Sequence, residues 1–170
     1  LSKVDGWRRK EAMLRLYENE HGLMLPSRNI RSAMVQGSDA AGMRHKHGAT
    51  KRALGPFLRR GLTVEPLELM FGLSEIELAR ELSKPGVHGH IPLHRDTVRI
   101  PPVKGALVVK YWPQLPIDWK LSFTLVVFDQ SLQGEDELLQ SLEAAGVFCG
   151  IGTGRPDYGK FKIERWQEVS

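Results

Sequence analysis

The chain has 170 residues, 24 Lys and Arg against 20 Asp and Glu, and one cysteine, Cys149. That length suits a single domain with a real core, one cysteine excludes an intrachain disulfide, and no apolar run approaches the ~20 residues that span a bilayer. A reducing, cytoplasmic setting without a signal peptide is therefore expected, and no membrane partner.

In chain order, Val4 to Tyr17 places Trp7, Met13, Leu14 and Leu16 at near-helical spacing among basic residues, which predicts a first helix. Glu18 to Gly22 is polar and ends in glycine, and Leu23 to Pro26 is a short apolar segment closed by proline. Ser27 is then placed to cap a helix from Arg28 to about Gln36, with Ile30, Ala33 and Met34 as its buried stripe. Gly37 to Gly48 reads as a loop. A basic helical piece follows from Thr50 to Arg60, and Pro56 should interrupt it or start it anew.

This region concentrates the charge. From Arg44 to Arg60, RHKHGATKRALGPFLRR holds six Lys or Arg, two His and no acid, so the remaining residues carry 18 bases against 20 acids. A basic block on a near-neutral body is the electrostatic footprint of a polyanion partner; a solvated loop and helix face is the alternative.

Leu62 to Phe71 alternates and predicts a strand, and Ser74 with Glu77 makes a capping box for a short helix to about Leu82. His88 to His94 leads into an extended piece, Thr97 to Ile100. Residues 61–103, rich in turn formers, read as a sub-domain inserted into one domain spanning 1–170. Ala106 to Trp112 and Trp119 to Phe128 are β-branched and aromatic, separated by a Pro-rich connection that suits a hairpin. Gly134 to Gly146 has acids in its first turn, leucines at 138, 139 and 142 on one face, and glycine at its end, the pattern of a capped amphipathic helix.

The most constrained stretch comes last. It holds Gly146, Gly150, Gly152, Gly154 and Gly159, then alternates so that Phe161 and Ile163 share one face and Lys160, Lys162 and Glu164 the other. A glycine loop feeding a strand is predicted. A dinucleotide fingerprint needs its glycines between a strand and a following helix; here the order is reversed, and Arg155 breaks the spacing. Tight turning and close packing account for some of these glycines. They do not account for Arg155 among them. The succession of strands, helix and strand predicts an α+β fold with an antiparallel sheet, ferredoxin-like in outline.

Several groups of residues could carry chemistry. Phosphates are held by Arg, Lys and backbone N–H groups, and single-stranded RNA also needs aromatic faces, for which Trp112, Trp119 and Trp166 are candidates or else core. His88, His90 and His94 have even offsets that would align them as metal ligands on an extended segment, although no carboxylate or cysteine completes a set. No cofactor is expected. His45 and His47, beside Lys46 and Lys51, could supply acid and base for RNA cleavage. Glu18 and Glu20 could bind a divalent ion or activate a 2′-hydroxyl. Cys149, in an apolar run, reads as a small buried hydrophobe.

GLMLPSRNIRSAM (22–34) and AGVFCGIGTGRPDYGKFKI (145–163) together resemble the repeat-associated mysterious proteins, the RNA-binding superfamily that includes the backbone subunits of CRISPR effector complexes. Leu25-Pro26-Ser27 and Ile30-Arg31-Ser32-Ala33 follow that family's helix-opening segment, with Ser32 where glycine is usual. Gly150, Gly152, Arg155, Gly159 and Phe161 follow its later glycine-rich loop. The resemblance covers about a third of the chain and implies a modified RNA-recognition fold with an inserted sub-domain. The family's first strand has no counterpart before Trp7. Ser27, Arg28 and Arg31 would lie near the RNA backbone, and the glycine loop with Arg155 beside it. Family members that cut RNA use an acid upstream of the first motif, and Glu18 is the nearest match. The layout also resembles proteins of phages and prophages.

The resulting expectation is a non-catalytic protein that binds RNA or another single-stranded nucleic acid, as a homo-oligomer or within a ribonucleoprotein complex. Arg44, Lys46, Lys51, Arg52, Arg59, Arg60 and Arg155 would neutralise phosphates, and Gly152 would let backbone approach the strand. An endoribonuclease of the same fold and a phage-encoded interaction module acting on a host complex are the alternatives.

Overall fold

The computed structural model describes residues 10–45, 52–73, 93–99, 107–115, 119–132, 134–152, 155 and 157–169. They form a mixture of helices and antiparallel strands, an α+β protein, in two compact units: one joins Leu1–Leu25 to Met70–Ser122, the other Pro26–Leu69 to Phe123–Ser170. Leu62–Glu65, expected within the inserted sub-domain at 61–103, pairs with a strand of the second unit.

Among the described residues of the first unit, the first helix is seen from Lys10 and ends at Met13, before the expected end at Tyr17. Leu14, expected on its buried stripe, is 85% exposed, whereas Met13 and Leu16 pack on Leu23 with Phe71 and Leu115. Strand β1 (Glu18–Asn19) pairs antiparallel with β2 (Gly22–Pro26). Strands β3 (Leu62–Glu65) and β4 (Glu68–Met70) fall in the second unit or at its edge. The expected continuous strand from Leu62 to Phe71 is broken between them at Pro66, which has no N–H to give a ladder.

Beyond β5 (Gly72–Leu73), strand β6 (Leu93–Arg99) pairs with β7 (Leu107–Pro113) over seven residues, from Leu93 opposite Pro113 to Arg99 opposite Leu107. The hairpin expected between 106–112 and 119–128 is not formed. Its second strand splits into β8 (Trp119–Lys120), which pairs with β5, and β9 (Thr124–Val127), which pairs with β3. Alternation identifies a strand but not its partner. The capping box at Ser74 and Glu77 lies outside the described residues.

The second unit is built around helix α1 (Arg28–Ala40). Its Ile30, Ala33, Met34 and Val35 are buried, as their spacing requires, but the helix runs past Gln36 and takes Gly37 and Ser38, expected in a loop, into its buried face. Ser27 does not cap it: the side chain makes no capping bond, and the backbone N–H donates to Leu67 O at 2.8 Å. Against α1 lie helix α2 (Gly55–Gly61), started by Pro56 in its first turn, and β3, whose Leu62 and Val64 alternate inward. Leu54, Leu58 and Leu62 are fully buried; each contributes about 2 kcal/mol by removal from water. Helix α3 (Glu135–Ala144) also packs on α1 and carries three acids in its first turn, matching the positive end of the helix dipole. Leu138 and Leu142 are buried and Leu139 half-buried.

Gly146 does not end α3. The chain widens into a π-turn, Ala145–Cys149, closed by Gly150 N–H donating to Ala145 O at 2.7 Å, and the left-handed stop is Gly150 at φ +72°. The alternating segment after it is extended but joins no ladder. Phe161 and Ile163 are half-buried between exposed neighbours, and Phe161 N–H reaches Gly146 O at 3.4 Å. A period of two describes that backbone without securing it a strand partner.

Candidate functional site

The glycine turn is a stack of backbone approaches. A Cβ on Gly37 of α1 would overlap the backbone of Ala145, one on Gly146 would overlap the Phe161 carbonyl, and one on Gly159 the Ile151 carbonyl. Gly150 leaves 2.6 Å to the Tyr158 carbonyl, and Ile151 N–H donates to Gly159 O at 2.9 Å. These four glycines are required by packing. Gly152 differs: its φ is +85°, yet nothing lies within 4 Å of where a side chain would start. It is exposed, as is Arg155, while Gly154 and Pro156 lie outside the described residues. The lysine of the return segment, Lys160, donates from Nζ to Val147 O at 2.6 Å.

The basic block forms a second surface of the same unit. Arg44 and Ala53 make an antiparallel bridge, His45 N–H donates to Arg52 O at 2.8 Å, and Arg44 and Arg52 beside this pairing stand exposed. Arg59 and Arg60 occupy the last turn of α2, where the helix dipole favours cations. Arg60 lies with its guanidinium 4.8 Å from the Phe57 ring centre. Lys46, Lys51 and His47 lie outside the described residues. Arg28 is exposed and Arg31 half-buried on α1, and Ser27 is buried.

His45 is 2% exposed, its ring 4.1 Å from that of Phe57. Its Nε2 is 3.1 Å from Ser131 Oγ, and the Ser131 hydroxyl donates to Asp129 Oδ1 at 2.6 Å. The one hydroxyl proton is thus committed to the carboxylate, so Nε2 carries a proton and donates it to Ser131. This arrangement ties the basic loop to the turn after β9; it does not present an imidazole to a bound strand.

Donation by the Ser131 hydroxyl and N–H holds the Asp129 carboxyl below its ordinary value of 3.8, with Arg60 and His45 adding attraction and burial opposing. The unfolded chain therefore takes up the proton more readily. Stability from this group is present above pH 3.8 and is lost as pH falls through the lower folded value. Ser131→Ala should lower the urea midpoint near neutral pH, and the midpoints of variant and parent should converge in acid.

Glu18 and Glu20 are exposed in the first unit, and no group of three or more metal-ligating side chains occurs among the described residues. His94 is half-buried and stacks on Trp112 at 6.2 Å; His88 and His90 lie outside the described residues. The other candidate tryptophans have partners too: Trp119 meets Phe71 edge-on at 6.0 Å, and Trp166 donates Nε1–H to Glu135 at 2.7 Å. The aromatic rings offered to solvent near the glycine turn are instead Phe148 and Tyr158, 49% and 46% exposed. Neither was singled out in the sequence: Phe148 stands in an apolar run that reads as core, and Tyr158 stands among charged and turn-forming residues that carry no stacking signal. Cys149 between them and the turn is a half-buried free thiol.

No protein-family model matches the chain, and neither a curated protein nor a solved structure matches it. No helix among the described residues is long and apolar enough to cross a membrane.

Proposed function

We propose that the protein binds RNA or another single-stranded nucleic acid without cleaving it, in the manner of a backbone subunit, with the second unit as its binding body. The observation that carries this reading is the exposed glycine turn. It carries exposed Arg155 three residues after exposed Gly152, whose open side leaves room for a phosphate to approach the backbone, and it sits in the same compact unit as Arg44, Arg52, Arg59 and Arg60. The packing of α1 on the π-turn also supports it: the helix that the first stretch resembling the repeat-associated mysterious proteins opens lies against the π-turn that begins the second.

A ferredoxin-like core belongs to the same proposal, supported by the antiparallel pair of β3 and β9 with α1 against β3. In mechanism, the arginines neutralise phosphates and release counterions, and the glycine turn sets where the strand lies. Self-association along the ligand is part of this reading.

The test is a titration of the protein with labelled single-stranded RNA, single-stranded DNA and duplex DNA at two salt concentrations, with products run on a denaturing gel. Tight, salt-sensitive binding with intact strands is expected. Arg155→Ala should lower affinity several-fold and the salt slope by about 0.7, the value for one phosphate on a single strand, while Arg165→Ala should change little. Shortened strands would replace the reading with a nuclease. Absence of binding to all three would replace it with a protein-interaction module.

A further inference from the structure

Val147, Phe148 and Tyr158 are 63%, 49% and 46% exposed and lie on the two sides of the glycine turn. Their exposure follows from the backbone. The π-turn fits one residue more than an α-turn would, and the interior beside it is filled by main chain: Gly146 against the Phe161 carbonyl, Gly150 against that of Tyr158, Gly159 against that of Ile151. The bonds from Ile151 N–H to Gly159 O and from Lys160 Nζ to Val147 O run the two sides past each other, which sets Tyr158 beside Gly150, two residues from Phe148.

We propose that Phe148 and Tyr158 form a stacking platform for unpaired bases of a single-stranded nucleic acid; the inference rests on the nucleic-acid reading above. The charge around the rings matches that occupant. From Val147 to Glu164 the chain carries Arg155, Lys160 and Lys162 against Asp157 and Glu164, all five exposed, a net positive charge. With Lys160 held on the Val147 carbonyl, the exposed Arg155 and Lys162 are the cations this proposal assigns to phosphates. A ring face takes any base, so the platform confers preference for unstacked strands rather than for a sequence. Duplex bases, stacked on one another, cannot reach it.

The experiment compares a short labelled single-stranded RNA with an abasic strand of the same length and charge, using the full chain. The intact strand should bind at least about tenfold tighter than the abasic one. Phe148→Ala and Tyr158→Ala should each weaken the intact strand by about tenfold, with little effect on the abasic strand and none on the salt slope. Phe148→Trp should keep the preference and Phe148→Leu lose it, which separates a stacking ring from a merely apolar filler. Arg155→Ala should weaken both strands alike.

Equal affinity for the two strands overturns the platform and leaves the binding function standing; failure to bind either strand overturns both. Loss of a dimer in Phe148→Ala, seen by sedimentation with RNA affinity unchanged, makes the patch a self-association surface and also overturns the platform.

Discussion

Gly37→Ala is expected to destabilise the protein by about 2–3 kcal/mol, although glycine to alanine inside a helix ordinarily stabilises by up to ~1 kcal/mol. The reversal comes from the neighbour. A Cβ at Gly37 overlaps the backbone N and Cα of Ala145 and comes within 2.8 Å of the Ala144 carbonyl carbon. Backbone cannot swing aside, so α1 and the π-turn must separate, loosening the contact that seats the glycine turn. A melting temperature about 5–10 °C lower is the expected reading. Gly55→Ala supplies the contrast: its Cβ meets Asp39 Oδ1 at 2.6 Å, the far end of a side chain that can rotate away, so little change is expected. Equal effects at the two glycines would mean that α1 is not held against the turn by backbone contact.

Removing Arg44, Arg52, Arg59 and Arg155 together should produce the largest functional change. Each phosphate contact on a single strand contributes about 0.7 to the slope of log K against log salt, so the slope should fall by about 3 and affinity at low salt roughly a thousandfold. All four side chains are exposed, so the fold should survive; circular dichroism and a thermal melt check this. The control removes the same charge elsewhere, at Lys10, Arg95, Lys120 and Arg165, all exposed. If it costs as much affinity as the test variant, the binding is diffuse attraction, and the basic loop and glycine turn are not a site.

Much of the local structure was legible because its causes are local. The first-turn acids and the leucines of α3 identified that helix, and Pro56 marked the start of α2. Where the reading went astray, a distant residue decided. Gly37 looked like a loop former, yet within α1 it lies directly against the backbone of Ala145. The hairpin assigned to neighbouring strands was lost to β6 and β3, which lie nearer the chain start and compete for the same ladders.

The site divides along the same line. Composition and order alone determined that a basic block stands on a near-neutral chain and that a glycine run with an arginine follows an amphipathic helix, since charge and backbone freedom belong to residue types. Only the tertiary structure decided that His45 is buried against Phe57 and tied to Ser131, that Trp112, Trp119 and Trp166 have partners, and that Phe148 and Tyr158 are exposed. Pairing and exposure depend on what the rest of the chain brings alongside, and no local spacing encodes that.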